Sequence, residues 1–296
     1  KGDQGMTPAT TFENLPTKKI QSAYGWAPNQ AWLDHVRLSS LRFPGGSGSF
    51  VSQDGLVLTN HHVGRSWIQR VSSKEADYVS NGFAAATREQ EIKVPGLELM
   101  TLMAMDNITD RLAKAINPGA SEQDALKIRE AEIEKIKKEM QEKGGLTCEH
   151  VTLYQGGEHW IYSYKKHTDV RLVFAPEQQI AFFGGDADNF EFPRFNLDMC
   201  LFRAYEDGKP AKIEHFLAWG VEPVREGDLV FVSGHPGNTD RGHTMRELVA
   251  MRDRQMPMAL ATLRRLEVLF SVYSGQGPEE ARQASEDLFG VQNSRK

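Results

Sequence analysis

The residues best suited to chemistry are two adjacent histidines, His61 and His62, and a group of aspartates that ends at Asp198. The histidines close the run Leu56-Val57-Leu58-Thr59-Asn60-His61-His62, which follows a Gln53-Asp54-Gly55 turn and a Gly-Ser-rich segment at 46–52. Two short β-rich stretches joined by Asp-Gly read as a hairpin. A hydrophobic strand that ends in histidine holds an imidazole rigidly at one edge of a sheet. A general base needs that placement when its nucleophile comes from another element. A purely structural histidine pair at a strand end is the competing reading, and the residues alone leave His61 and His62 both open.

A base needs a nucleophile, and the serines offer none in a suitable context. Ser47 and Ser49 enter the strand before the histidines, whereas a nucleophile follows a loop whose backbone amides form an oxyanion hole. Ser233-Gly234 and Ser274-Gly275 lack a Gly-X-Ser-Gly setting. The aspartates lie in Phe183-Gly184-Gly185-Asp186-Ala187-Asp188-Asn189-Phe190-Glu191-Phe192-Pro193-Arg194-Phe195-Asn196-Leu197-Asp198. Such a turn-rich acidic loop suits calcium by composition. Its spacing does not match an EF-hand and no bidentate glutamate falls in place, so no metal and no cofactor is expected.

The elements that must position these residues are mostly short. Residues 1–44 read as an amino-terminal arm with short helices, where Asn29 caps the pattern Trp32, Val36, Leu38. Residues 66–81 are mixed with helical character, and 92–107 read as strands around a Val94-Pro95-Gly96 turn. Residues 121–143 form the clearest helix: Ser121 caps it, Leu126, Ile133, Ile136 and Met140 keep helical spacing, and Gly144-Gly145 ends it. Strands follow at 147–154, 160–164, 170–174, 201–205 and 229–233, with Gly-Gly, Asp-Gly and Pro-Gly turns between them. Many short strands at this spacing predict a barrel or sandwich. After about Thr244 the pattern is helical, with Leu260, Leu263, Leu266, Leu269 and Phe270 as an apolar stripe. The chain stops inside that helical pattern, which reads as an amino-terminal fragment.

Four ordered segments, 55–64, 169–176, 183–198 and 228–241, together resemble the bacterial dipeptidyl-peptidase 7 and 11 family of serine exopeptidases. The resemblance runs from about residue 5 to the end. It implies a chymotrypsin-type double β-barrel with a large helical domain inserted before the serine. The expected fold is therefore mixed and mainly β: an arm at 1–44, a chymotrypsin-like barrel region at 45–243 with a helical insertion near 121–143, and the start of a helical domain at 244–296. By the same resemblance His62, rather than His61, matches the general base, and Asp198 matches the triad aspartate. Asp186 and Asp188 shape the loop. Asn189 and Phe190 match residues that face the substrate's free amino terminus, where an amide oxygen accepts from an ammonium and an aromatic face attracts it. Asn293 matches a second asparagine on the helical domain. Val63 stands where the family often has Cys, and Phe190 where it often has Trp. The family's nucleophile loop and specificity pocket would lie beyond residue 296.

The implied partners are peptides with a free amino terminus, in a periplasmic or secreted setting, and a homodimer is compatible with the resemblance. A rival similarity is to HtrA-like endopeptidases, which share the Gly-Ser-Gly-Phe strand, Asp-Gly turn and Thr-Asn-His. There the aspartate follows the histidine more closely, and Asp77 is the acid at that spacing. A degenerate peptidase that only binds peptides is a third reading. Composition narrows the classes further. With 40% hydrophobic and 25% charged residues over 296, the chain is ordinary globular material for one large or two smaller domains. A net charge of -5 without a basic block argues against nucleic acid, and no apolar run is long enough to span a membrane. Cys148 and Cys200 leave one disulfide and two buried thiols equally open.

Overall fold

The computed structural model describes residues 15–185, 191–235 and 242–295. In chain order the helices are α1 Thr17–Tyr24, α2 Gln30–Ser39, α3 His61–Val71, α4 Tyr78–Asn81, α5 Thr109–Ala115, α6 Glu122–Gly144, α7 Gln178–Ala181, α8 Met245–Ala250, α9 Met256–Ser274 and α10 Pro278–Arg295. The strands are β1 Ser40–Phe43, β2 Gly46–Phe50, β3 Leu56–Thr59, β4 Phe83–Ala84, β5 Ile92–Lys93, β6 Leu99–Asn107, β7 Thr147–Leu153, β8 Glu158–His167, β9 Asp169–Ala175, β10 Cys200–Glu206 and β11 Lys209–Pro210. The architecture is antiparallel sheet followed by a helical carboxyl-terminal portion, the mixed class expected.

The chain forms two compact units. The first draws on the described residues of Lys1–Leu58, Gly96–Val170 and Arg203–His235. Its strands run in the order β2-β1-β6-β8-β7, all antiparallel, with Leu41 opposite Gly48 and Thr101 opposite Lys165. Asn29 caps α2 by accepting the Trp32 N–H at 2.9 Å, and Ser121 caps α6 through the Asp124 N–H at 3.1 Å. Helix α6 lays Ile133 and Ile136 against Ile108, Leu112, Cys148 and Ile161, with Met140 alongside. Leu126, on the expected apolar face, is instead half exposed: the helix outruns the core it packs on. The Asp-Gly turn needs its glycine. Gly55 has φ +76°, and a Cβ there would lie 2.7 Å from the Ala204 carbonyl oxygen. Arg203 holds the turn by donating to the Asp54 carbonyl at 2.9 Å.

One expected strand is absent. Residues 229–233 are irregular, with Val230 and Val232 exposed. Alternating valines are a strand signal only where a neighbouring strand accepts the backbone bonds, and among the described residues none does. Ser233 instead receives a hydrogen bond from the Ser40 hydroxyl at 2.9 Å.

The second unit draws on Thr59–Pro95, Arg171–Phe202 and the described residues of Pro236–Lys296. Here β9 pairs with both β4 and β5, with Phe83 opposite Ala175 and Ile92 opposite Leu172. Helices α9 and α10 pack on each other, and α10 also meets α3. The expected stripe on α9 is only partly covered: Leu263, Leu266 and Phe270 are half-buried, while Leu260 and Leu269 are exposed. A π-helical turn at Met251–Gln255 joins α8 to α9 just before Pro257. Proline lacks the N–H that would continue the ladder, and a wider turn absorbs the missing bond.

Candidate active site

The histidines do not sit at a strand end. Strand β3 stops at Thr59, Asn60 occupies the cap position, and His61 and His62 are the first two residues of α3. This corrects the expected placement, and the difference has a chemical consequence. The first turn of a helix has backbone N–H groups without partners inside the helix. The His62 N–H uses its freedom to donate to Asp198 Oδ1 at 2.9 Å. Asp198 Oδ2 lies 2.6 Å from His62 Nδ1, so one carboxylate grips both the ring and the backbone of the same residue. Asn60 adds a third hold, its Nδ2 donating to the Asp198 carbonyl at 3.2 Å and to Oδ2 at 3.3 Å. Asn60 carried no distinguishing pattern in the sequence beyond its place before the histidine pair.

The two histidines have opposite surroundings. His61 is buried, and its Nε2 has no partner among the described residues. Burial lowers its pKa to about 4, a shift that Arg65 and His62 reinforce and Asp198 opposes, so at neutral pH it is an uncharged ring. The His62 side chain is 55% exposed, and with Nδ1 on the carboxylate its Nε2 is the nitrogen left to exchange a proton. Burial of Asp198 works against its ionisation. The hydrogen bonds from the His62 ring and backbone, and the nearby imidazoles, outweigh that and hold it below the usual carboxylate range. Cys200, behind Asn60, is fully buried, and burial raises its pKa. Both cysteines are free thiols.

His62, Asp198 and Asn293 line one cavity of about 450 Å³, with Arg65, Phe182 and Phe289 among its walls. No serine, threonine or cysteine is among its described lining residues. Asn189 and Phe190, expected at the substrate amine, and Asp186 and Asp188, expected to shape the loop, lie outside the described residues. Asp77 is engaged elsewhere: its carboxylate caps α4, accepting the Val79 and Ser80 N–H groups at 3.1 Å each. Ser47 receives the His235 N–H at 2.7 Å. Among the described residues no group of three or more His, Cys, Asp and Glu could hold a metal ion. Arg65 and the aromatic walls escaped sequence reading because nothing in their local pattern distinguishes a cavity wall from ordinary core.

Comparison with known proteins decides the family. The peptidase S46 family signature matches residues 2–296. The chain belongs to the peptidase S46 family. Among S46 relatives it is similar to dipeptidyl-peptidase 7 of Capnocytophaga gingivalis, at 36% identity over 213 residues, covering 68% of this chain and 30% of that protein. It is similar as well to the Asp/Glu-specific dipeptidyl-peptidase of the same organism, at 31% identity over 252 residues, covering 79% of this chain and 35% of the relative. In structure it resembles Porphyromonas endodontalis DPP11 in complex with the dipeptide Arg-Asp, with a TM-score of 0.79 and 25% identity over 88% of this chain and 40% of that one. This S46 chain thus spans well under half the length of these relatives.

Proposed function

We propose that these residues supply the histidine–aspartate half of a serine-type dipeptidyl peptidase, which releases dipeptides from the free amino terminus of peptides. The observation that carries the reading is the 2.6 Å contact between His62 Nδ1 and Asp198 Oδ2, with His62 Nε2 left to face a nucleophile. Family membership supports the reaction class, and the similar DPP11 structure with a bound dipeptide supports the substrate class.

In this mechanism a serine from outside these 296 residues attacks the second peptide bond of the substrate. His62 takes its proton and later returns one to the leaving amine. Asp198 fixes the Nδ1–H tautomer and stabilises the imidazolium. Asn189, Phe190 and Asn293 hold the substrate ammonium, so the site measures two residues inward. The reading is consistent with the described residues that line the cavity, which include no hydroxyl or thiol nucleophile. A chymotrypsin-type barrel, with a helical domain beginning near residue 244, and a periplasmic or secreted location complete the reading, with homodimerisation compatible with it. Among the described residues no helix is long and apolar enough to cross a membrane.

The test uses the full-length enzyme on fluorogenic dipeptidyl amides with free and with blocked amino termini. Release from the free-amino set alone is expected, and His62→Ala should lower kcat by roughly 10⁴-fold or more with the fold intact. Comparable cleavage of blocked peptides would replace the exopeptidase with an HtrA-like endopeptidase. Retained turnover in His62→Ala would move the base to His61. Binding without turnover would leave a degenerate, peptide-binding protein.

A further inference from the structure

Arg65 lies one helical turn after His61, on the same helix α3, and is 2% exposed. Burying a guanidinium is costly unless its donors find partners; here both terminal nitrogens are engaged by other elements, while Nε has no partner among the described residues. Nη1 pairs with the Glu286 carboxylate and approaches the Ser285 carbonyl oxygen at 3.4 Å. Nη2 donates to Ser285 Oγ at 3.3 Å and to Gln178 Oε1 on α7 at 3.2 Å. The guanidinium also lies 4.9 Å from the centre of the Phe289 ring. Ser285, Glu286 and Phe289 all belong to α10, the helix that carries Asn293 two turns further on. A second tie, from Gln69 of α3 to the Arg282 carbonyl at 3.1 Å, runs between the same two helices.

We propose that Arg65 is a positioning residue that sets the cleavage register: it locks α10, and with it Asn293, at a fixed distance from the helix start that carries His62. The inference rests on the reading of Asn293 as a holder of the substrate amine. A peptidase that counts two residues needs its amine anchor and its base held as one rigid body, because one added substrate residue moves the scissile bond by only about 3.3–3.6 Å. The planar fork of arginine, engaged through both terminal nitrogens, resists that displacement in a way a lysine ammonium on a flexible stem does not.

The experiment is a double-mutant cycle in the full-length enzyme with Arg65→Lys and Asn293→Ala, read by KM and kcat on free-amino dipeptidyl amides and by the ratio of dipeptide to tripeptide released from a longer peptide. Arg65→Lys is expected to raise KM roughly tenfold with kcat changed much less, and to let tripeptide appear. In the Asn293→Ala background it should raise KM no further, because both changes remove one anchor. The proposal is overturned if Arg65→Lys lowers the melting temperature but leaves KM and the product ratio unchanged, or if its effect on KM is the same in both backgrounds. If Asn293→Ala alone leaves KM unaltered, the amine reading fails first, and that is visible without any Arg65 variant. Should Arg65→Lys not fold, Glu286→Gln, on the partly exposed side of the pair, makes the same test.

Discussion

At Asp198 a single carboxylate does two jobs, accepting the His62 N–H at 2.9 Å and meeting its ring at 2.6 Å. The backbone bond fixes where the residue is, and the ring bond fixes which imidazole nitrogen carries the proton. Asp198→Asn separates the two. An amide oxygen still accepts the backbone N–H, but its NH₂ would donate to Nδ1 and force the proton onto Nε2, the nitrogen that the proposed mechanism needs free to accept. In the full-length enzyme kcat should fall roughly 10³- to 10⁴-fold with KM little changed and the melting temperature moderately below wild type at pH 7. A second signature follows from the lowered pKa. Asp198 contributes stability above the ordinary carboxylate range, lost as pH falls through its depressed folded value, and the asparagine variant should lack that acid limb in thermal melts.

At the scale of elements, the start of α3 is held by close packing as much as by hydrogen bonds. Gly64 has an ordinary backbone conformation, yet a Cβ there would sit 2.6 Å from Cys200 Sγ and 3.1 Å from the Phe202 ring. No flexible side-chain end can yield, because Cys200 and Phe202 are both fully buried. Gly64→Ala should therefore destabilise by about 1–3 kcal/mol in chemical denaturation, against the slight gain that alanine usually brings inside a helix. It should also weaken turnover by shifting His62, two residues earlier. A Gly64→Ala protein as stable as the parent would show that α3 is free to move off β10. The same helix start explains a misreading. A hydrophobic run ending in Thr-Asn-His-His suggests a strand carried through to the histidines, but Asn60 turns the chain, and the histidines begin a helix whose apolar residues lie further on. Caps with an unambiguous apolar period behind them, such as Asn29 and Ser121, were legible because each signal is contained within one turn.

At the scale of the whole molecule, each compact unit buries one histidine at a cost in acid. His61 in one and His167 in the other are both 3% exposed, and burial lowers each pKa from 6.5 to about 4. The unfolded chain takes up these protons below about pH 6.5 while the folded one does not, so stability is full above that pH and declines toward pH 4. The slope is up to about 1.4 kcal/mol per pH unit for each histidine. Urea denaturation between pH 7 and 4 should show this decline, and His61→Gln and His167→Gln should each remove part of it. An unchanged slope in both variants would mean that other groups, the carboxylates and the histidines His150, His159 and His235, set the acid limit.

What the sequence determined by itself was the kind of chemistry and the local starts and stops: an imidazole pair after an Asp-Gly hairpin, an aspartate closing an aromatic loop, the capped helix from Glu122, and the sheet-rich, then helical, order of elements. These are short-range facts, written in side-chain type and in periods of two and 3.6 residues. The tertiary structure decided which histidine is buried and which meets Asp198, 136 residues away, and among the described residues it left 229–233 without a strand to pair with. It also placed Arg65 between two helices. Burial and partnership depend on residues distant in the chain, and no local pattern records which surface will arrive to cover a side chain or which donor will face it.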